Sequence, residues 1–173
     1  MRLLLATAAV AGGFCPAPRV HSTGPRRRLA TPELVTPEAI AAFAAARDLA
    51  GAGPVVLAGH SYGARRTLEC LAQRSLPAAG ALLLAYPFAP PKRASQAPLP
   101  HPSGALPCGF VSGERDSHAP PGTLEAALAD RPNAQLWRIP RADHGWSRAR
   151  LFEPGGPLRQ ALESFLAPLG SNA

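Results

Sequence analysis

The sequence contains very little lysine and few aromatic residues. Lys92 is the one lysine among 18 basic residues, and Arg26-Arg27-Arg28 is the only basic run of three. The formal net charge is +7, yet the arginines are spread along the chain and aromatic residues make up only 6%. Proteins that bind single strands interleave basic and aromatic residues, and this chain does not. We therefore expect no nucleic-acid partner, because net charge alone is weak evidence for one.

Cysteine is also scarce, and long apolar runs are missing. Cys15, Cys70 and Cys108 cannot all pair, and none has the spacing of metal ligands. Buried thiols in a reducing compartment are the simplest interpretation, so we expect a cytoplasmic protein. The apolar stretch at residues 1–11 is too short to span a bilayer, and no membrane partner is expected. It is either a weak secretory signal or an element of the domain, and the cysteine pattern favours the domain.

The pattern of elements predicts one α/β domain. A chain of 173 residues with 46% hydrophobic residues can bury one core. Residues 1–36 are expected to form a partial or irregular N-terminal segment and residues 37–170 the core. Short apolar runs alternate with helical segments, which indicates a mostly parallel sheet with helices on both faces. Strands are predicted at 55–58, 79–85, 107–112 and 135–139, and helices at 36–50, 64–74, 124–129 and 157–169.

The segment Gly59-His60-Ser61-Tyr62-Gly63 matches the G-x-S-x-G nucleophile elbow. A buried strand precedes it and a helix follows it, which is the structural context that the motif requires. Small residues are needed where the strand and the helix nearly touch. The start of the helix directs its amide groups at the serine, so the backbone N–H of Tyr62 is a candidate oxyanion donor. The alternative is an ordinary strand–turn–helix connection without chemistry.

A nucleophilic serine needs a base, and the base needs a carboxylate. In the chain order typical of this elbow, an acid and then a histidine follow the serine. Asp116 lies just past a predicted strand, and His144 lies on the loop after the next one, where open sheets build their sites. Alternatively, Asp116 caps a loop, with Glu114 as its nearest substitute, and His144 is a surface histidine. Asp143 is interpreted as a turn residue.

Several segments resemble one branch of the α/β-hydrolase superfamily, the family of testis-expressed protein thirty and the third subunit of the nonspecific-lethal complex. More distantly, the chain is similar to dienelactone hydrolases. Besides the elbow extended to Arg65, the resemblance rests on His101 and on the following segments: Ala85-Tyr86-Pro87-Phe88-Ala89-Pro90-Pro91-Lys92, Ser112-Gly113-Glu114-Arg115-Asp116 and Ala142-Asp143-His144. It implies an α/β-hydrolase fold in which Ser61 is the nucleophile, Asp116 the acid and His144 the base.

The sequence departs from this family in two places. Ala89 stands where a histidine usually follows Tyr-Pro-Phe. Relatives also begin with a strand and a His-Gly-Ala-Gly-like loop that supplies a second oxyanion N–H, and Gly12-Gly13 lacks the histidine. The sequence is therefore expected to lack the first N-terminal strand or strands of this fold. Residues 1–14 are then expected to be the tail of the first family helix, as in an N-terminally truncated gene product.

These observations favour a serine hydrolase that acts on a small ester, thioester or related acyl substrate without a metal or organic cofactor. Tyr86, Phe88 and Trp146 are expected to line the substrate pocket, but they do not specify the acyl group. The alternative is a catalytically weak or inactive hydrolase-like interaction module, which the missing oxyanion loop favours. A truncated gene product that folds poorly is a third possibility. The sequence does not indicate the oligomeric state.

Overall fold

The structure is a computed structural model that describes residues 4–7, 32–51, 53–73, 76–89, 99–102, 105–146 and 155–170. The described residues form five strands and four helices in alternation. In chain order these are β1 (Leu4–Thr7), α1 (Pro32–Ala50), β2 (Val55–His60), α2 (Tyr62–Gln73), β3 (Gly80–Leu84), β4 (Cys108–Gly113), α3 (Thr123–Leu128), β5 (Ala134–Ile139) and α4 (Pro157–Gly170).

The five strands form one parallel sheet in the order β1-β2-β3-β4-β5. In the register, Leu4 pairs with Val55, Val56 with Gly80, Ala81 with Cys108, and Cys108 with Ala134. All strands run in the same direction, so their carboxyl ends meet at one edge of the sheet. That edge is where parallel sheets build their sites.

Successive residues of the central strands point to opposite faces of the sheet, and both faces are buried. Val55 and Leu57 pack in the same cluster as Leu68 of α2 and Phe43 of α1. The alternate residues of β2 pack in a second cluster with α4, including Phe165. A sheet covered on both sides explains why β2, β3 and β4 are continuous apolar runs rather than alternating ones. The expected sheet with helices on both faces is confirmed.

The N-terminal part differs from the expectations in two ways. Helix α1 begins at Pro32 rather than at Thr36, because the Thr-Pro-Glu pattern that starts helices occurs twice, at 31–33 and at 36–38. The second proline lies inside the helix, where its nitrogen cannot donate a hydrogen bond. The expectation that residues 1–14 end a helix is wrong for Leu4–Thr7, which form an edge strand beside β2. The candidate loop residues Gly12-Gly13 lie outside the described residues.

Two further expectations concern cysteine and membrane spans. Cys70 and Cys108 are buried, and neither forms a disulfide within the part of the chain that the structure describes. Cys15 lies outside that part. Among the described residues, no helix is long and apolar enough to cross a membrane.

Helix α4 packs on the sheet through one aromatic side chain. Phe165 is 3% exposed, and a Cβ added to Gly109 of β4 would lie 2.8 Å from its ring. A Cβ on Gly80 of β3 would lie 3.1 Å from the same ring. Trp137 of β5 meets the ring edge to face, with centroids 6.2 Å apart. Two glycines therefore make the hollow that seats Phe165.

We expect Phe165→Ala to lower the free energy of unfolding by about 3–5 kcal/mol, because it leaves a cavity over two glycines that cannot fill it. Urea unfolding followed by circular dichroism measures this difference. The control is Ser164→Ala, an exposed position on the same helix, expected to change stability by less than about 0.5 kcal/mol. Equal stability of the two variants would show that α4 does not depend on this contact.

Candidate active site

Ser61 lies at the turn between β2 and α2, with a backbone conformation that is rare for serine. Its φ is 51°, in the left-handed region. Its N–H donates to the carbonyl of Leu84 on β3 at 2.8 Å, and its carbonyl accepts from the N–H of Arg65 at 3.2 Å. The strained turn is therefore tied to the neighbouring strand on one side and to the first turn of α2 on the other.

The first glycine of the elbow, Gly59, is required by the close crossing of β2 and α2. A Cβ at Gly59 would lie 2.5 Å from the backbone carbonyl atoms of Gly63, so any larger residue would push the helix away. The first residue of α2 is Tyr62, directly after the serine. Its backbone N–H belongs to the positive end of the helix, where negative charge is stabilised.

Ser61, His144 and Asp116 form a continuous chain of hydrogen-bonded groups. Ser61 Oγ lies 2.7 Å from His144 Nε2. His144 Nδ1 lies 2.9 Å from Asp116 Oδ1 and 3.0 Å from Oδ2. The three residues follow β2, β5 and β4, respectively, and therefore meet at the carboxyl edge of the sheet. This is the geometry in which an imidazole can take a proton from a hydroxyl while a carboxylate fixes its tautomer.

Asp116 is buried, with 1% of its surface exposed. Burial alone would raise its pKa, but hydrogen bonds from the His144 ring and from the backbone N–H of His118 hold the pKa below its ordinary value. The bond from His118 measures 2.8 Å. Asp116 therefore caps its own loop and also accepts a hydrogen bond from His144. The two interpretations of this residue, as a loop cap and as the partner of the histidine, do not exclude each other. Glu114 instead accepts a hydrogen bond from the Arg141 N–H at 3.1 Å.

The loops that carry the acid and the histidine are joined through their backbones. Arg115 N–H donates to the Ala142 carbonyl at 2.9 Å, and Glu114 N–H donates to the Ile139 carbonyl at 3.1 Å. A Cβ at Gly113 would lie 2.2 Å from the Ala142 carbonyl oxygen. The glycine of Ser112-Gly113-Glu114 is therefore required because the two loops touch there.

Arg138 of β5 holds the acid loop from the outside. Its guanidinium donates to the carbonyls of Ala119 at 2.8 Å and Pro120 at 3.3 Å, and to Ser112 Oγ at 3.0 Å. It also donates twice to the Glu125 carboxylate of α3, both times at 2.8 Å. This two-bond contact lowers the pKa of Glu125 to about 2. One planar guanidinium thus joins β5, α3 and the loop that carries Asp116.

The structure places the other predicted site residues at different depths. Tyr86 is 4% exposed and packs edge to face on Phe110 in the core, with ring centroids 5.7 Å apart. Burial raises its pKa to about 12. Phe88 is half-buried against the same cluster. Trp146 meets the His60 ring at 5.6 Å, and His60 in turn lies 6.2 Å from His144. Tyr86 therefore supports the loop after β3 from below, while Trp146 lies beside the triad.

One group of side chains could in principle hold a metal ion. Ligand atoms of Asp116, His118 and His144 all lie within 4.8 Å of one another. The two histidine rings are stacked, however, with planes only 27° apart. Lone pairs of imidazole lie in the ring plane, so stacked rings do not aim at one shared ion. Both nitrogens of His144 are also engaged by Ser61 and Asp116. We assign no metal to this group.

Two contributors were not predicted from the sequence. His118 belongs to no motif, although a histidine two residues after the acid is a usable signal. Arg138 carries no motif, and nothing in the sequence joins it to residues about twenty positions earlier. Strain at Ser61 is inherent in the sharp turn of the elbow, but the positive φ of three other non-glycine residues was not predicted: among the described residues these are Ala85, Arg141 and Trp146. All four lie after the strand ends that surround the site, where strain commonly accumulates.

Comparisons with known proteins agree with the fold. A family model described as an alpha/beta hydrolase domain matches residues 16–155. No curated protein matches the chain. A Xanthomonas campestris structure, XC6422, described as a serine hydrolase without a lid, is 19% identical with a TM-score of 0.59. Est1E from Butyrivibrio proteoclasticus with bound ferulic acid is 15% identical with a TM-score of 0.62. These identities establish a shared fold only.

The chain is shorter than these proteins. The match to XC6422 covers 82% of this chain and 59% of the other. A serine hydrolase homologue from Coxiella burnetii, 17% identical with a TM-score of 0.51, matches over 84% and 61%, respectively. The match to Est1E covers 81% and 69%. The chain therefore spans about three fifths of the length of XC6422 and of the Coxiella burnetii protein.

We expect Arg138→Met to destabilise the protein by about 1–3 kcal/mol, because partly buried carbonyls of the acid loop lose their donor. Arg138→Lys should restore little of this, since an ammonium group cannot reproduce the two-bond contact with Glu125. Urea unfolding of the three proteins measures the difference. The control is Arg159→Met, an exposed arginine of α4 that pairs only with Glu163 among the described residues. Full rescue by lysine would contradict the role given to the planar group.

The Glu125–Arg138 contact should also depend on pH. The pKa of Glu125 is lower in the folded state than its ordinary value of 4.5, so its contribution is present above about pH 4.5 and is lost as the pH falls toward 2. Glu125 is 44% exposed, and solvent limits the effect to about 0.2–1 kcal/mol. Glu125→Gln should therefore be less stable than the unmodified protein at neutral pH, with the gap closing in acid. A gap that is constant from pH 7 to pH 3 would contradict this.

Proposed function

Because the chain belongs to the alpha/beta hydrolase family, we propose that it is a serine hydrolase that cleaves esters or related acyl bonds. The observation that carries the proposal is the contact of 2.7 Å between Ser61 Oγ and His144 Nε2. A serine hydroxyl is a weak nucleophile until a base removes its proton. Here the base is within hydrogen-bonding distance, and its other nitrogen is held by a buried carboxylate.

The reaction begins with attack on the acyl carbon. Ser61 Oγ bonds to the carbonyl carbon while its proton moves to His144 Nε2, and the carbonyl oxygen becomes an oxyanion. Collapse of this intermediate breaks the bond to the leaving group, which takes the proton from His144. A water molecule then repeats the two steps on the acyl-enzyme and releases the acid. Asp116 stays ionised throughout, in agreement with its lowered pKa.

The oxyanion is stabilised by the start of α2. The backbone N–H of Tyr62 is the proposed donor, because this residue opens the helix directly after the nucleophile. The partial positive charge at a helix start acts on the same oxygen. One preorganised donor of this kind is typically responsible for about 10²–10³ in turnover.

The substrate is proposed to be a small acyl compound. Phe88 and Trp146 are the proposed lining, with Tyr86 behind them, since Trp146 reaches the triad through His60. The proposed chemistry needs no metal or organic cofactor, because Ser61, His144 and Asp116 supply the nucleophile, the base and its orienting carboxylate. The reaction needs no nucleic-acid or membrane partner, and a cytoplasmic location fits two buried thiols.

Closer kinship with the family of testis-expressed protein thirty and with dienelactone hydrolases is also part of the proposal. Its support is the sequence of Tyr86-Pro87-Phe88 and of the Ser112–Asp116 segment. In the structure the first segment follows β3, and the second begins in the last residues of β4 and continues to Asp116.

We expect a fluorophosphonate probe to label the purified protein at Ser61. Ser61→Ala and His144→Ala should both abolish labelling and lower the hydrolysis of p-nitrophenyl acetate by at least about 10⁴-fold, because neither group acts without the other. Gel fluorescence and initial rates measure these effects, and the matched control is Ser164→Ala on the exposed side of α4.

Absence of labelling in a folded wild-type protein would contradict the proposal and favour a hydrolase-like interaction module instead. Labelling that persists in Ser61→Ala would assign the reactive group to another residue. Circular dichroism of each variant establishes that it is folded before either conclusion is drawn.

A further inference from the structure

A second histidine lies against the face of the proposed base. The rings of His118 and His144 are stacked, with centroids 3.9 Å apart and planes inclined by 27°. The His118 side chain is 34% exposed and that of His144 22% exposed. His118 therefore separates one face of the His144 ring from solvent, and it takes no part in the proton transfer described above.

The backbone of His118 is fixed at two points that matter to the site. Its N–H donates to Asp116 Oδ1 at 2.8 Å, and its carbonyl accepts from the Ala89 N–H at 2.7 Å. The first bond ties it to the carboxylate that holds His144, and the second ties it to the loop after β3. Because the His118 backbone is fixed by these two hydrogen bonds, its side chain can support the neighbouring ring of His144.

We propose that His118 is a positioning residue whose stacked ring holds the His144 imidazole in the orientation that reaches both Ser61 and Asp116. The catalytic consequence rests on the proposed hydrolase function, whereas the geometric consequence does not. The two hydrogen bonds of His144 are made by its two ring nitrogens, so they restrain its position but leave the ring able to tilt about the line that joins these nitrogens. Contact with a flat neighbour opposes that tilt.

The electrostatic surroundings are compatible with this role. Among the described residues, His118 lies close to Asp116, whose Oδ1 is 3.8 Å from Nδ1, to the neutral hydroxyl of Ser117 at 3.5 Å, and to the ring of His144. From the loop after β3, the backbone N–H of Ala89 donates to its carbonyl. His60 lies beyond His144, 6.2 Å from that ring.

The pKa of His118 is lowered, first by burial and then by repulsion from His144. The negative charge of Asp116 acts in the opposite direction but does not outweigh these two effects. The ring of His118 therefore favours the neutral form. A neutral ring can stay in contact with His144 when that residue accepts a proton, whereas a charged ring would repel it.

The test compares His118→Ala, which removes the stacked ring, with His118→Phe, which keeps a flat ring but cannot titrate. With p-nitrophenyl acetate as the probe, we expect His118→Ala to lower kcat on the order of ten- to a hundredfold, with little change in KM, because a misplaced base costs turnover rather than binding. His118→Phe should restore most of the lost kcat. The control is His101→Ala, an exposed histidine of the described residues that lies outside the triad.

A second measurement does not require turnover. The proton between His144 Nδ1 and Asp116 should give a low-field resonance in proton NMR, assigned by its loss in Asp116→Asn. We expect it to be sharp in the unmodified protein and in His118→Phe, and broadened or lost in folded His118→Ala, where the imidazole tilts and exchanges its proton with water.

The two measurements separate the two proposals. Loss of the resonance in His118→Ala supports the positioning role even if the unmodified protein hydrolyses nothing, in which case only the hydrolase function fails. An unchanged resonance and an unchanged kcat in folded His118→Ala would overturn the positioning role. Absence of the resonance from the unmodified protein would also overturn it, because the imidazole would then not be held on Asp116.

Discussion

The close backbone contact between the loop after β4 and the loop after β5 determines whether the candidate site exists. Gly113 and Ala142 approach so closely that no side chain fits between them, and the Arg115 N–H bonds the Ala142 carbonyl. Asp116 lies three residues past this point on one loop and His144 two residues past it on the other. The carboxylate and the imidazole are therefore brought together by backbone atoms, and their own hydrogen bonds only complete the arrangement.

The remaining contacts stabilise the same region. Arg138 supplies donors to the carbonyls of the acid loop, which would otherwise be costly to bury. His118, on the same loop, packs against the imidazole. Strained backbone at Ser61 and Trp146 is compatible with this framework because strand ends and helices over-determine it. Stability and site geometry are thus properties of the same set of contacts.

Much of this could be predicted from the sequence, for identifiable reasons. The strands at 55–60 and 108–113 contain short apolar runs, Val55–Ala58 and Cys108–Val111, next to turn residues. The elbow has a fixed spacing that depends on local sterics. Asp116 and His144 could be proposed as partners because chain order and strand ends restrict the candidates. The start of α1 was misplaced because the same Thr-Pro-Glu signal occurs twice. Arg138 and the stacking of His118 depend on which strands are neighbours, and no local pattern encodes that.

Strand β3 carries no member of the triad, yet it lies between β2, which the serine follows directly, and β4, which is followed by the loop that carries the acid. Neighbouring strands are spaced by about 4.8 Å, so β2 and β4 are separated by roughly 10 Å. An imidazole with a hydrogen bond at each end is nearly long enough to bridge such a gap. The middle strand therefore acts as a spacer whose width suits the span of one histidine, and an element outside the chemistry sets the distance between serine and carboxylate that a single imidazole must bridge.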